Sequence, residues 1–179
     1  MNQIIFLKGE NYILRPLTIE DVHGNYKNWL NDPEVNLYNT HARFPITEKY
    51  LIDYVNSLNN LNNIVVLAII DPLENNKHIG NISLQSINWI DRTSEIAFIL
   101  GEKDYWGKGV MFECGKLLID HAFKTLNLNR IACGTSSLNV GMQKLATKLG
   151  MSKEGIRRNA IFKNGIYADI IEYGILNNQ

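Results

Sequence analysis

Two glycines spaced by one residue, in Trp106-Gly107-Lys108-Gly109-Val110-Met111, stand where a strand-like run gives way to a helical one. Glycine lets the backbone turn so that N–H groups converge, and the first turn of a helix leaves its donors unpaired. The helix terminus adds roughly half a positive charge, so the segment suits a phosphate or pyrophosphate held by backbone donors. A plain tight turn would use the same two glycines, so the anion reading rests on the surrounding pattern. Two other phosphate loops fail on spacing. A Walker loop needs Gly where Glu102 stands and Ser or Thr where Gly109 follows Lys108, and a dinucleotide fingerprint needs Gly in place of Phe112.

Other residues carry chemistry in smaller units. Glu95 opens the otherwise apolar run Glu95–Leu100, where a carboxylate is either a general base or a side chain reaching solvent at a strand end. Tyr105, Tyr167 and Tyr173 could donate a proton, although a strand tyrosine is more often a packing residue. Cys114 and Cys133 lack the paired spacing of a disulfide framework or metal cage, and Cys133 has no readable His and acid partners that would make it a nucleophile. His23, His41, His78 and His121 are scattered, so no metal is expected.

The elements that must position these residues follow from periodicity. Tyr12–Leu17 reads as a strand stopped by Pro16, and Thr18 with Asp21 starts a helix that runs to about Leu30. Asn31-Asp32-Pro33 breaks it, and Thr47 caps a second helix through Leu58. Runs at Ile64–Ile70, Ile79–Ile87 and Thr93–Leu100 form an antiparallel meander. From Val110 the period becomes helical, with Cys114, Leu117, Leu118, Ala122 and Leu126 on one face. Arg130–Thr135 is again a strand, Asn139 caps a helix ending at Leu149-Gly150, and two last strands flank Lys163-Asn164-Gly165.

The chain has 179 residues, 45% of them hydrophobic, and no linker or repeat, which predicts one domain over 1–179. Eighteen basic and eighteen acidic side chains cancel, so no overall field draws the protein to nucleic acid or an anionic membrane. The longest apolar run, Ile64–Ile70, is far short of a bilayer span, and Ile4-Ile5-Phe6-Leu7 is too brief for a signal peptide. A cytoplasmic location is expected, with neither nucleic acid nor membrane as partner.

With these elements in place, the chain from Tyr12 to Leu176 resembles the GNAT superfamily of N-acetyltransferases, in its ribosomal-protein-acetyltransferase-like branch. The likeness is carried by Leu14-Arg15-Pro16-Leu17, by Trp29-Leu30-Asn31-Asp32-Pro33-Glu34-Val35 and by Gly101 through Gly109. Asn139 through Met151 and the ending from Glu154 to Asp169 continue it. It implies an α+β fold with a central, mostly antiparallel, splayed mixed sheet of about seven strands flanked by about four helices. It also implies acetyl-CoA as co-substrate, with no metal. The pyrophosphate would lie on Trp106, Gly107, Lys108, Gly109, Val110 and Met111, and the pantetheine arm along Phe98, Ile99 and Leu100, with Asn139 in contact. Glu95 matches an acidic position often proposed as base in the branch. The family usually has Arg or Gln at the place of Trp106 and a small residue at that of Met111. Ala146 stands where many members carry a tyrosine acid.

The resemblance further implies an acceptor cleft built by the N-terminal helices and closing hairpin, with Trp29, Tyr38, His41, Arg43, Phe44 and Trp89 as candidates. The acceptor would be a small-molecule or peptide amine; a homodimer is one assembly open to the chain, whose oligomeric state the sequence does not fix. Amino sugars and nucleotide-linked amino sugars are slightly favoured over polyamines and protein N-termini, and Arg43, Arg157 and Arg158 would then meet phosphates. The alternative is a non-catalytic acetyl-CoA-binding or sensing module on the same fold.

Overall fold

The computed structural model describes residues 4–58 and 60–177. Its strands are β1 (Leu7–Lys8), β2 (Ile13–Pro16), β3 (Val65–Asp71), β4 (Lys77–Asn88), β5 (Thr93–Leu100), β6 (Arg130–Ser136), β7 (Ser152–Lys163) and β8 (Ile166–Leu176). They form one sheet in the order β1-β2-β3-β4-β5-β6-β8-β7. The sheet therefore has eight strands where the sequence predicts about seven. The additional one is β1, whose two residues pair with Leu14 and Ile13 and are too few to show a period.

Period-two alternation sends the two sides of each strand into different cores. One side carries Leu14, Ile69, Leu84, Ile96 and Ile131 into a cluster under helix α4 (Val110–Lys124). Along that helix Val110, Cys114, Leu118 and Ala122 recur every fourth residue, and each is almost completely buried. A stripe at this spacing is what a single packed helical face requires. The other side carries Ile13, Ala68 and Ile70 against the N-terminal helices.

Those helices are α1 (Ile19–Asp21), α2 (Lys27–Asn31) and α3 (Glu48–Leu58). Between the first two runs a wide π-type turn, Val22–Tyr26, in which Gly24 leaves helical dihedrals (φ −82°, ψ −145°). The single helix expected up to Leu30 is thus interrupted at its glycine, the weakest helix former it contains. The segment is locked to the sheet by a buried pair: Arg15 donates from both terminal nitrogens to Asp21, at 2.7 and 2.6 Å. Asp21 also accepts from Thr18 N–H at 2.8 Å, closing the capping box.

The feature that positions the site is the junction of β5 with β6. These strands run parallel and share three rungs, Thr93 with Arg130, Ser94 with Ile131 and Glu95 with Ala132. Beyond them β6 stays paired to β8 as far as Ser136 with Ile170, while β5 stays paired to β4 as far as Leu100 with Gly80. The sheet is split from Ile96 onward, leaving one edge of β5 unpaired.

Candidate active site

Past the open end of β5, Gly107 and Gly109 both adopt left-handed backbone, at φ +74° and +82°. Gly109 is the N-cap of α4. A Cβ built on either glycine would meet no atom within 4 Å, so the space above the turn is open. Among the described residues no backbone partner serves the N–H groups of Gly107, Gly109, Val110 and Met111. Converging free donors, open space and the helix terminus make an anion cradle. Trp106 steadies the loop by donating from its indole to Leu100 carbonyl at 2.9 Å. Met111, bulky where the family that the sequence resembles has a small residue, packs its side chain against the core and leaves the cradle to the backbone.

An alanine at 109 would need a left-handed conformation costing an L-residue roughly 1–2 kcal/mol, and would add a methyl where an anion approaches. Gly109→Ala is expected to raise KM for acetyl-CoA by about tenfold with kcat little changed, read from initial rates at varied acetyl-CoA.

A cleft of about 340 Å³ fills the split between β5 and β6. Phe98, Ile99 and Leu100 line one wall, Gly134 the other, and Asn139 and Met142 of the α5 (Val140–Lys148) terminus close the end. Asn139 caps that helix, its Oδ1 accepting from Met142 N–H at 3.0 Å. Tyr38, from the loop after α2, faces the same cleft.

A second cavity of about 190 Å³ lies between the sheet and the N-terminal helices. Both cavities are lined by Ala97, Phe98 and Ile99, so they meet across the middle of β5. Glu95 is exposed two residues before Ala97 and shares its side of the strand. It pairs across to Gln85, which lines the second cavity. A carboxylate therefore stands at the margin where the two cavities meet.

The remaining sequence candidates separate. Trp29 lines neither cavity. It is 4% exposed, packs beneath Gly101, where any Cβ would overlap its ring, and donates to Glu102 at 3.0 Å. Trp89 sits on the turn after β4, bonded to Asn62 carbonyl at 2.8 Å, away from both cavities. These two aromatics hold structure at their own positions and do not wall the acceptor side. Arg43 donates to Phe162 carbonyl at 2.8 Å, and Lys163 Nζ donates to the carbonyls of Asn36, Asn39 and His41. The closing hairpin thus grips the loop carrying Tyr38 and His41. His41 lines the second cavity, and desolvation, then the Lys163 charge, holds its imidazole below the ordinary range. Phe44 points to solvent. Arg157 is engaged by Glu172 at 2.5 Å, and neither it, Arg43 nor Arg158 lines either cavity.

None of Tyr105, Tyr167 or Tyr173 lines either cavity. Tyr105 bonds Asp71 at 2.9 Å, and burial followed by that bond pushes its phenol up to about 12. Ala146 is 0% exposed in the main core. Cys133 reaches the first cleft, yet its sulfur rests 3.6 Å from Met151, and burial, then the Glu172 and Glu95 charges, raises it to about 12. Such a thiol carries almost no thiolate at neutral pH. Cys133→Ala is expected to keep acetyl transfer within about threefold of the parent, with no acetyl-enzyme detected by intact-mass spectrometry.

Sequence reasoning missed most of the second cavity's lining. Tyr26, Tyr50 and Tyr54 come from the helices, and Asn81, Ser83 and Gln85 from β4. The last three carry a signal in the sequence: polar residues at every second position of a strand covered on both sides mark a polar cavity over one of them.

Comparisons with known proteins place the chain in a family. A family profile described as an acetyltransferase (GNAT) domain matches residues 11–152. An uncharacterized N-acetyltransferase of Bacillus licheniformis is 30% identical over 175 residues, covering 97% of each chain. A probable N-acetyltransferase of Bacillus subtilis (strain 168) is 39% identical over 100 residues, an alignment spanning 55% of each chain, so the match extends over about half of that relative. Spermidine N-acetyltransferase from Vibrio cholerae, solved with CoA and spermine, shares the fold with a TM-score of 0.85 at 24% identity, over 93% of this chain and 96% of that one.

Proposed function

Since the chain belongs to the GNAT acetyltransferase family, we propose that it is an acetyl-CoA-dependent N-acetyltransferase that serves a primary amine by direct attack. The observation that carries this reading is the split in the sheet. One unpaired strand edge joins an anion cradle at its far end to an acceptor-side cavity at its middle.

The residues present fit acetyl-CoA. The free N–H groups of Gly107, Gly109, Val110 and Met111 would hold its pyrophosphate, and the open edge of β5 at Phe98–Leu100 would take its pantetheine amides as an added strand does. Asn139 lines the same cleft. When bound, the group supplies an acetyl carbon activated as a thioester. The chain's own work is to orient and to move a proton. An alkyl ammonium of reference pKa about 10.4 must lose its proton before its nitrogen can attack, and Glu95 at the shared margin is the acceptor for it, through a water where the distance requires one. The raised Cys133 thiol favours direct transfer over an acetyl-enzyme route.

The test is release of free thiol from acetyl-CoA against amino sugars, nucleotide-linked amino sugars, polyamines, aminoglycosides and N-terminal peptides. Turnover on one class supports the enzyme. Tight CoA binding with no turnover on any class would favour the sensing module.

A further inference from the structure

Asn81 on β4 is 4% exposed, and its Nδ2 is buried without a well-formed hydrogen bond among the described residues, the Tyr26 phenol being a polar neighbour close enough to feel the amide. Its orientation is fixed from behind. His78 Nε2 lies 3.0 Å from Gly80 carbonyl and 2.8 Å from the Asn81 side-chain oxygen. A carbonyl can only accept, so the 3.0 Å contact with Gly80 favours hydrogen on Nε2 and the oxygen of Asn81 facing it, against the pull of the Asp21 carboxylate 3.3 Å from Nδ1 on the other side of the ring. The amide nitrogen is thereby left as the free end of a residue that lines the second cavity. A buried donor with no acceptor costs about 1–3 kcal/mol, which a ligand oxygen would recover.

The rest of the lining has a consistent character. Tyr26, Tyr50 and Tyr54 present aromatic surface with phenolic tips, and Gln85 donates to Ser83 Oγ at 3.0 Å, leaving the serine proton and the Gln85 oxygen for a guest. The volume, about 190 Å³, is enough for a single ring. A polyamine needs carboxylates along its length, whereas the polar walls here are amides, hydroxyls, phenols and the His41 imidazole, with Glu95 at the margin.

We propose that this cavity selects a compact, hydroxyl-bearing ring amine, and that Asn81 Nδ2 recognises one of its oxygens. The proposal rests on the acetyltransferase reading and names the acceptor class for it. Asn81 acts here as a specificity residue, with His78 positioning it.

The test uses the full-length protein with glucosamine, 2-aminocyclohexanol, cyclohexylamine and spermidine, followed both by thiol release and by the thermal shift each amine produces in the presence of CoA. Parent protein is expected to prefer 2-aminocyclohexanol over cyclohexylamine by about tenfold in kcat/KM, the worth of one well-placed hydrogen bond, and to use spermidine poorly. Asn81→Asp keeps the oxygen that accepts from His78 and removes the donor. It should bring the kcat/KM ratio of 2-aminocyclohexanol to cyclohexylamine from about ten to near one, a ratio in which the effect of the new carboxyl on the shared ammonium group cancels. Equal losses on both ring amines, or a parent that prefers spermidine, would overturn the proposal while leaving acetyl transfer standing. The parent comparison needs no variant, so a misfolded Asn81→Asp does not protect the idea. If no amine is turned over, a thermal shift by 2-aminocyclohexanol that Asn81→Asp abolishes would keep the pocket and sink the enzyme. No shift and no turnover would sink both.

Discussion

Glu95→Gln is expected to lower kcat/KM for the amine at neutral pH by about 10²–10⁴-fold, the range a positioned general base supplies, while KM for acetyl-CoA stays close to the parent value. The glutamine keeps the size of the side chain and the exposed strand position, and removes only the ability to accept a proton. At pH 7 fewer than roughly one alkyl amine in a thousand is unprotonated, given a reference pKa near 10.4. The loss should therefore shrink as pH rises toward that value, because solvent then deprotonates the amine without help. The parent, using its base, should show a shallower dependence over the same range. A Glu95→Gln protein as fast as the parent at pH 7, with the same pH profile, would return Glu95 to the role of a solvent-facing strand residue.

The second large effect concerns stability. Asp21→Ala leaves Arg15, 4% exposed, as an uncompensated charge between sheet and helix, and removes the cap on Thr18 N–H. Breaking one side of a buried pair costs about 3–5 kcal/mol. For a domain of this size that corresponds to a fall in Tm of roughly 6–20 °C by differential scanning calorimetry. Replacing both partners, with Arg15→Met and Asp21→Leu, should cost less than Asp21→Ala alone, since no charge is then stranded. The pH sign follows from Asp21. Burial alone would raise its pKa, but hydrogen bonds from Arg15, the nearby His78 and Thr18 N–H outweigh it and hold the carboxyl below its ordinary value. A depressed carboxylate contributes stability in full above its unfolded pKa, about 4, and loses it as pH falls through the folded value. In Asp21→Ala that acid-side decline should flatten.

What the sequence discloses and what it hides divide along a physical line. The left-handed turn at Gly107 and Gly109, the Asn139 cap, the Thr18 and Asp21 box and the α4 stripe depend on neighbours within a few residues, so local pattern is sufficient. The Arg15 and Asp21 pair is also close in sequence, yet its burial is decided by the helices laid over β2, which no local pattern reports. Trp29 reads as a cleft aromatic until its contact with Gly101, 72 positions away, places it in the core. The three-rung junction of β5 with β6 joins residues on either side of α4, and the second cavity draws on both the helices and the sheet. Such features exist only once the topology is known.

The three rungs at Thr93–Glu95 also act as a pivot. Two plates of sheet joined at one corner can rotate only about that corner, and displacement grows with distance from it. Glu95 and Ala97 sit beside the pivot, while Gly107 and Gly109 lie beyond the open end. Any displacement of one plate against the other would therefore be smallest beside Glu95 and largest toward Leu100 and Ser136, where the cleft opens. In such a lever the short end would be the stiff one and the long end the one that yields to a bulky guest.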